Sequence, residues 1–211
     1  MRLLVAVALL CCGACTKSPA APVDAGVATP AKTLSVKRAS APVEVDGELE
    51  EADWRAAETT GPFPDAKMPG SVVAHTEARA LWDDAGLTVA LYSADEDLGD
   101  DDHVDVSVQT ADGGTIDWEI PPSGRARCRR GGEDCVGLAG VRAAADSDGT
   151  MNDASDDDEE WAVELSVPWS VLGYASPPER VAVQLGRVDR VKGGASRRQA
   201  WSGVLRLERS R

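Results

Sequence analysis

Hydrophobic and polar residues alternate along much of the chain. In residues 104–108 every second residue is Val, and in residues 161–167 every second residue is large and apolar. Successive side chains of a β-strand point to opposite faces of the sheet, so this period of two is typical of strands with one buried face. We therefore predict a half-buried strand in each of these two segments.

Shorter runs of the same kind occur elsewhere, at residues 87–91, 116–120, 181–185 and 204–207, with Asp, Gly, Pro and Ser between them. No stretch keeps a long helical period, and only residues 48–57 and 168–172 are candidates for short helical turns. Many short strands separated by turn residues indicate an all-β fold, either an antiparallel sandwich or a barrel.

The first residues have the pattern of an export signal. Arg2 precedes an apolar run, residues 3–10, which ends well before the roughly 20 residues that a membrane-spanning helix needs. The segment that follows, Cys12-Gly13-Ala14-Cys15, resembles the bacterial lipobox. We therefore expect a signal peptide over residues 1–14 and lipidation of Cys15, with Thr16 rather than Asp favouring the outer membrane. An ordinary signal peptide cut near Ala14, without lipid, is the alternative.

Residues 15–33 are rich in Ala, Pro and Thr and contain almost nothing large to bury, which predicts a flexible tether. The remaining segment, residues 34–211, has the length of one domain with its own core. Loss of residues 1–14 removes only Arg2, so 21 basic and 36 acidic side chains remain, a net charge of −15. Such an acidic chain is a poor partner for a nucleic-acid backbone.

Five cysteines occur in the chain, and three of them belong to the N-terminal segment. Cys128 and Cys135 are the two that remain. The compartment outside the cytoplasmic membrane is oxidising, so we expect these two to form a disulfide. A zinc site is disfavoured because two cysteines lack the further ligands that a structural site needs.

Seven sequence blocks, in order, resemble the family 9 carbohydrate-binding modules: residues 45–54, 80–90, 101–106, 118–124, 161–173, 186–190 and 201–202. The first block contains an Asp-Gly turn that leads to Trp54, and the last contains Trp201. The resemblance covers nearly the whole domain. It implies an antiparallel β-sandwich with one or two short helical turns.

The resemblance also implies a sugar-binding site. Sugars are held by aromatic rings and by planar hydrogen bonds from charged side chains. The residues that match the family's site in this way are Asp105, Trp118, Glu119, Arg187 and Trp201. The chain departs from the family at the aromatic clamp, because no Trp stands in the loop before Asp101 and none follows Trp201. Two alternatives stay open, namely that the tryptophans belong to the core and that Arg187, Asp189 and Arg190 form a surface ion-pair ladder.

Two acidic runs, residues 95–105 and 146–160, raise the question of a cation. Calcium takes several carboxylate oxygens in irregular loops, and the resembling family carries structural calcium. We therefore place a candidate calcium site at Asp101 and Asp102. The alternative is a solvated acidic loop without metal.

We expect a non-catalytic lipoprotein of the cell envelope that binds a polysaccharide or glycan, since the sequence contains no recognisable catalytic motif. It would face the periplasm or the cell surface. The alternative is an envelope scaffold that keeps the sandwich without sugar binding and meets a basic protein partner. A third possibility is a related haem-binding sandwich, for which Met68, Met151 and His103 are the candidate ligands.

Overall fold

The computed structural model describes residues 32–67, 74–135, 138–153, 155, 157–191 and 195–209. Cys15, the expected signal peptide and the expected tether as far as residue 31 lie outside the described residues, as does Met68. The described chain is almost entirely β-structure, as the alternating pattern predicts. In the part of the chain described, no helix is long and apolar enough to cross a membrane.

The elements in chain order are β1 (Lys32–Arg38), α1 (Ala52–Ala56), β2 (Thr76–Trp82), β3 (Gly86–Ala94), β4 (His103–Gln109), β5 (Thr115–Ile120), β6 (Arg127–Arg130), β7 (Glu133–Asp134), β8 (Arg142–Asp148), β9 (Glu160–Pro168), β10 (Arg180–Val191) and β11 (Ala195–Leu207). Of the two expected helical turns, the first contains α1. The second, which follows Pro168, is a hydrogen-bonded turn.

The strands form a β-sandwich in which β1 connects the two sheets. The first sheet has the order β7-β6-β5-β4-β10-β11-β1. We call it the groove sheet, because its outer face carries the groove described below. The second sheet has the order β1-β2-β3-β9-β8. The predicted antiparallel sandwich is confirmed in its architecture, with one addition. β1 pairs in parallel with both of its neighbours, with β11 along residues 32–36 and with β2 at residues 37–38.

The main core lies between the sheets. It is formed by alternate apolar residues of the strands, which point inward. Every second residue of β4, Val104, Val106 and Val108, is buried in the main core, which also contains the alternate apolar residues of β9. The other residues of β4 point to the outer face of the groove sheet, where water is accessible. This alternation decides which side chains can meet a ligand and which cannot.

Candidate functional site

A groove lies on the outer face of the groove sheet. It has a volume of about 560 Å³ and is lined by β4, β5, β10 and β11, with the β6–β7 hairpin forming one wall. Ligand sites in proteins usually measure roughly 300–1,000 Å³, so the groove is large enough to hold a small ligand or part of a chain.

The middle of the groove is one row of residues across five strands. In register from β11 to β6, this row reads Ala200, Gly186, Asp105, Glu119 and Arg127. The two residues at one end have almost no side chain, which leaves a shallow floor. The charged side chains at the other end form a wall beside that floor.

Carboxylates and guanidinium groups are paired along the wall. Arg127 Nη1 donates to Glu119 Oε1 at 3.1 Å, and Arg198 Nη1 donates to Asp105 Oδ2 at 3.3 Å. Burial raises the pKa of Asp105 above its ordinary value, while His103 and Arg198 act in the opposite direction. Side chains of this kind make planar, charge-assisted hydrogen bonds to neighbouring hydroxyl groups.

Two of the predicted sugar-binding residues, Asp105 and Glu119, therefore lie together in the groove. Trp118 and Trp201 do not form the expected aromatic platform, because their side chains point into the core and are only 2% and 3% exposed. The ring of Trp201 lies over its own strand, where a Cβ at Gly203 would be 2.5 Å from Trp201 Cη2. The described groove lining presents no exposed aromatic ring.

Arg187 also lies inside the sandwich and not in the groove. It is 0% exposed, donates to Asp95 Oδ2 at 2.7 Å and to the carbonyl oxygen of Ala94 at 2.7 Å, and lies 3.4 Å from Asp189 Oδ1. A second guanidinium, that of Arg197, lies 3.0 Å from Asp189. The expected role of Arg187 in sugar binding is therefore corrected to a buried structural one.

The two candidate calcium ligands point in different directions. Asp101 is exposed and pairs with Arg190, whereas Asp102 is buried and accepts hydrogen bonds from the backbone N–H groups of Gly99 and Arg190, each at 2.7 Å. Burial raises the pKa of Asp102 to about 6. Adjacent residues with opposed orientations do not offer their oxygens to one ion.

Asp102 does approach two other buried carboxylates, those of Asp95 and Asp189. The Arg187 guanidinium already contacts both of these, so the two carboxylates have a counter-ion within the protein. This donor set does not fit calcium, which needs six or more oxygen ligands free to bind it.

The two acidic runs meet at one end of the sandwich. Asp158 accepts hydrogen bonds from the backbone N–H groups of Leu98 and Thr150, each at 2.6 Å, and so joins the two loops. A cavity of about 430 Å³ lies there, with Asp95, Glu96, Asp97, Asp157, Asp158 and Glu159 in its lining. Glu96, Asp97, Asp157 and Glu159 are the exposed or partly exposed acids of this lining, and Arg190 and Arg197 also belong to it.

Cys128 and Cys135 are bonded, as predicted, and the bond joins β6 to the residue that follows β7 in the groove wall. Met151 packs against the main core, while His103 lies on the outer face of β4. These two side chains do not face each other across a pocket that could hold haem.

Several groove residues were not predicted, namely His103 as a neighbour of the site, Ser107, Asp117, Arg127, Arg198, Gly186, Ala200 and Ser202. Most of them are small or are charged residues in β6 and β11, and no motif marks them. One signal was present for the strand residues. Those that alternate with the buried Val and Ile positions of β4 and β5 must share the outer face.

Comparison with known proteins finds similarity in structure alone. No protein-family model matches the chain, and no curated protein matches it. A solved structure of a Bacteroides uniformis protein to which carbohydrate binding has been attributed superimposes with a TM-score of 0.62 at 14% identity, covering 84% of this chain and 100% of that one.

Two further solved structures are of a family 9 carbohydrate-binding module from Caldicellulosiruptor kristjanssonii. The complex with cellotriose gives a TM-score of 0.61 at 15% identity and covers 85% of this chain and 95% of that one. The complex with glucose gives 0.59 at 14% identity, with 85% and 97% covered. The chain therefore has the fold of the family 9 carbohydrate-binding modules.

Proposed function

We propose that this protein is a non-catalytic carbohydrate-binding protein of the bacterial cell envelope and that its groove binds a polysaccharide or glycan. The observation that carries the proposal is the paired carboxylate and guanidinium wall, Glu119 with Arg127 and Asp105 with Arg198, beside a floor of small residues. The structural similarity to modules solved with cellotriose and glucose supports it.

The chemistry of the groove favours hydrogen bonding over stacking. A pyranose ring presents neighbouring hydroxyl groups, and a guanidinium paired with a carboxylate offers donors and acceptors at matching separations. Among the described residues that line the groove, no aromatic ring is exposed, so none can stack on a sugar. We expect weak binding to one sugar unit and stronger binding to a repeated polymer, because linked contacts raise the effective concentration.

The envelope location rests on the N-terminal pattern. A fatty-acylated Cys15 followed by an Ala- and Pro-rich tether would hold the domain within reach of an envelope glycan. Metabolic labelling with radioactive palmitate in a bacterial host tests this step. The wild type should take up label and the Cys15→Ser variant should not, whereas equal labelling of the two would overturn the assignment.

Glycan-array screening followed by calorimetric titration with cellulose and xylan oligomers tests the binding proposal. We expect saturable binding to at least one polysaccharide class in the millimolar range or below. If no glycan binds at millimolar concentration, the carbohydrate proposal is wrong.

A second candidate function is supported by the acidic surface formed by Glu96, Asp97, Asp157 and Glu159. In this alternative the sandwich is an envelope scaffold, and the negative surface binds a basic protein partner. Electrostatic binding of this kind weakens as salt screens the charges. Cross-linking in cells should then recover a basic neighbour, and Asp97→Asn with Asp157→Asn should reduce its yield. The same yield from wild type and variant would exclude the acidic surface as the contact.

A further inference from the structure

Three side chains with metal-binding groups converge beside the groove. His103 and Asp105 lie two residues apart on β4 and so share a face, and Glu119 of β5 is directly opposite Asp105. One ligand atom from each side chain lies within 4.8 Å of the other two. All three side chains are partly exposed, so an ion can reach them from solvent.

The orientation of His103 leaves one ring nitrogen facing a carboxylate. His103 Nδ1 lies 3.2 Å from the carbonyl oxygen of Asp101, and a carbonyl only accepts, so Nδ1 carries the hydrogen. In the neutral ring Nε2 then has a lone pair, and it faces Asp105 Oδ1 at 3.9 Å. This separation is too long for a hydrogen bond, and it leaves room for a cation between the two electron-rich atoms of the neutral ring and the carboxylate.

The separation suits a metal bound between the two atoms. Two ligand atoms at the bond lengths of a tetrahedral zinc ion lie roughly 3.4 Å apart, so a shift of about 0.5 Å would bring Nε2 and Oδ1 to that distance. The hydrogen bond from a histidine Nδ1 to a backbone carbonyl is also the usual support of a metal-bound imidazole, because it fixes the tautomer and orients the ring.

The neighbouring carboxylates point to the same need for positive charge. Like charges directly opposite each other on paired strands are destabilising. Arg198 and Arg127 offset this charge only from the solvent side, where their side chains are 59% and 80% exposed. Arg198 binds Asp105 Oδ2 and thus pairs with the oxygen of Asp105 that does not face His103.

We propose that His103, Asp105 and Glu119 bind one divalent transition-metal ion of the zinc class. An imidazole with two carboxylates suits such ions, whereas calcium prefers oxygen ligands alone. Three protein ligands leave at least one coordination position for water or for a ligand oxygen. Because Asp105 and Glu119 also line the groove, the ion would lie beside the groove. The metal site does not depend on the identity of the groove's ligand.

Titration of the purified, chelator-treated chain with Zn²⁺ and with Co²⁺ tests the proposal. We expect one ion per chain, micromolar affinity, and visible Co²⁺ absorption bands that Zn²⁺ displaces. His103→Ala and Glu119→Gln should each weaken binding roughly 10-fold to 100-fold, in the range seen when metal-site residues are removed.

His75 provides the matched control, since it is the only other histidine and also pairs with a carboxylate, Glu77 at 3.5 Å. His75→Ala should bind zinc as the wild type does. The proposal is overturned if no saturable zinc binding occurs below millimolar concentration, or if His75→Ala weakens binding as much as His103→Ala. Glycan titrations repeated with chelator present keep this outcome separate from that of the carbohydrate proposal.

Discussion

Trp54 Nε1 donates a hydrogen bond of 2.9 Å to Glu164 Oε1, and both side chains are fully buried. The other oxygen of Glu164 accepts from the backbone N–H groups of Asp46 and Gly47, each at 3.0 Å. A Cβ at Gly47 would lie 2.4 Å from the backbone of Ala145, and its φ is +97°. One buried carboxylate thus joins the Asp-Gly turn and α1 to the second sheet.

Replacement of Glu164 by Ala should destabilise the domain strongly. It would leave three N–H groups without an acceptor, of which those of Gly47 and Trp54 are buried, and each buried group costs about 1–3 kcal/mol. We expect a loss of roughly 2–4 kcal/mol in the free energy of unfolding, measured by urea denaturation. Glu179→Ala, at an exposed ion pair with Arg180, is the control and should change the free energy by less than about 0.5 kcal/mol. Equal effects of the two substitutions would show that the buried network contributes nothing.

Asp102 should make the protein less stable as the pH rises from about 4 to 7. Its pKa of about 6 in the folded chain lies above the ordinary 3.8, chiefly because of burial and the charges of Asp95 and Asp189. The folded chain therefore binds the proton more tightly than the unfolded chain. The stabilisation that this tighter proton binding gives the folded chain is complete below the ordinary pKa of 3.8. It is lost as the pH rises through about 6.

Thermal unfolding at several pH values measures this effect. Asp102→Asn cannot ionise, so it should reduce the decline by an amount on the order of 2 kcal/mol. Asp100→Asn, at an exposed position of the same loop, should keep the decline of the wild type. An unchanged pH dependence in Asp102→Asn would refute the assigned role of its ionisation.

All six tryptophans are buried, with at most 7% of any one exposed. We expect blue-shifted tryptophan emission that acrylamide quenches weakly, and no shift in the emission maximum when a glycan binds. Unfolding in urea should shift the emission to the red and restore quenching. A large spectral shift on glycan binding would show that a tryptophan contacts the ligand.

Much of the sandwich follows from the sequence, because the period of two records which face of each strand is buried. The same rule explains where the site prediction was wrong. Trp118 and Glu119 are neighbours in one strand, so they must point to opposite faces and cannot both contact a sugar. Arg187 is two residues after Leu185 and four after Val183, both of which are buried. It therefore lies on the same, inward face of β10. Resemblance to a family locates strands correctly but does not by itself assign the face of each residue.

Other parts of the site could not be predicted from the sequence. The pairing of Arg127 with Glu119 and of Arg198 with Asp105 depends on which strands are neighbours in the groove sheet. The strand order brings together residues that are far apart in the chain. A local sequence pattern does not reveal this order. The floor formed by Gly186 and Ala200 has the same origin.

The most direct test of the groove as the binding site is to fill it and to remove the Arg198 guanidinium while leaving the core untouched. Ala200 is exposed on the groove floor, and Arg198 is exposed in the wall. Arg206 lies farther along the same strand, outside the groove, and its Nη2 donates to Ser35 Oγ at 2.8 Å, so it provides a matched arginine control.

The measurement is the dissociation constant of the glycan found by array screening, determined by calorimetry for the wild type and three variants. Ala200→Phe should abolish binding, Arg198→Ala should weaken it at least about tenfold, and Arg206→Ala should leave it unchanged, with all three folded as the wild type. Wild-type affinity in both Ala200→Phe and Arg198→Ala would contradict the claim that the groove is the binding site.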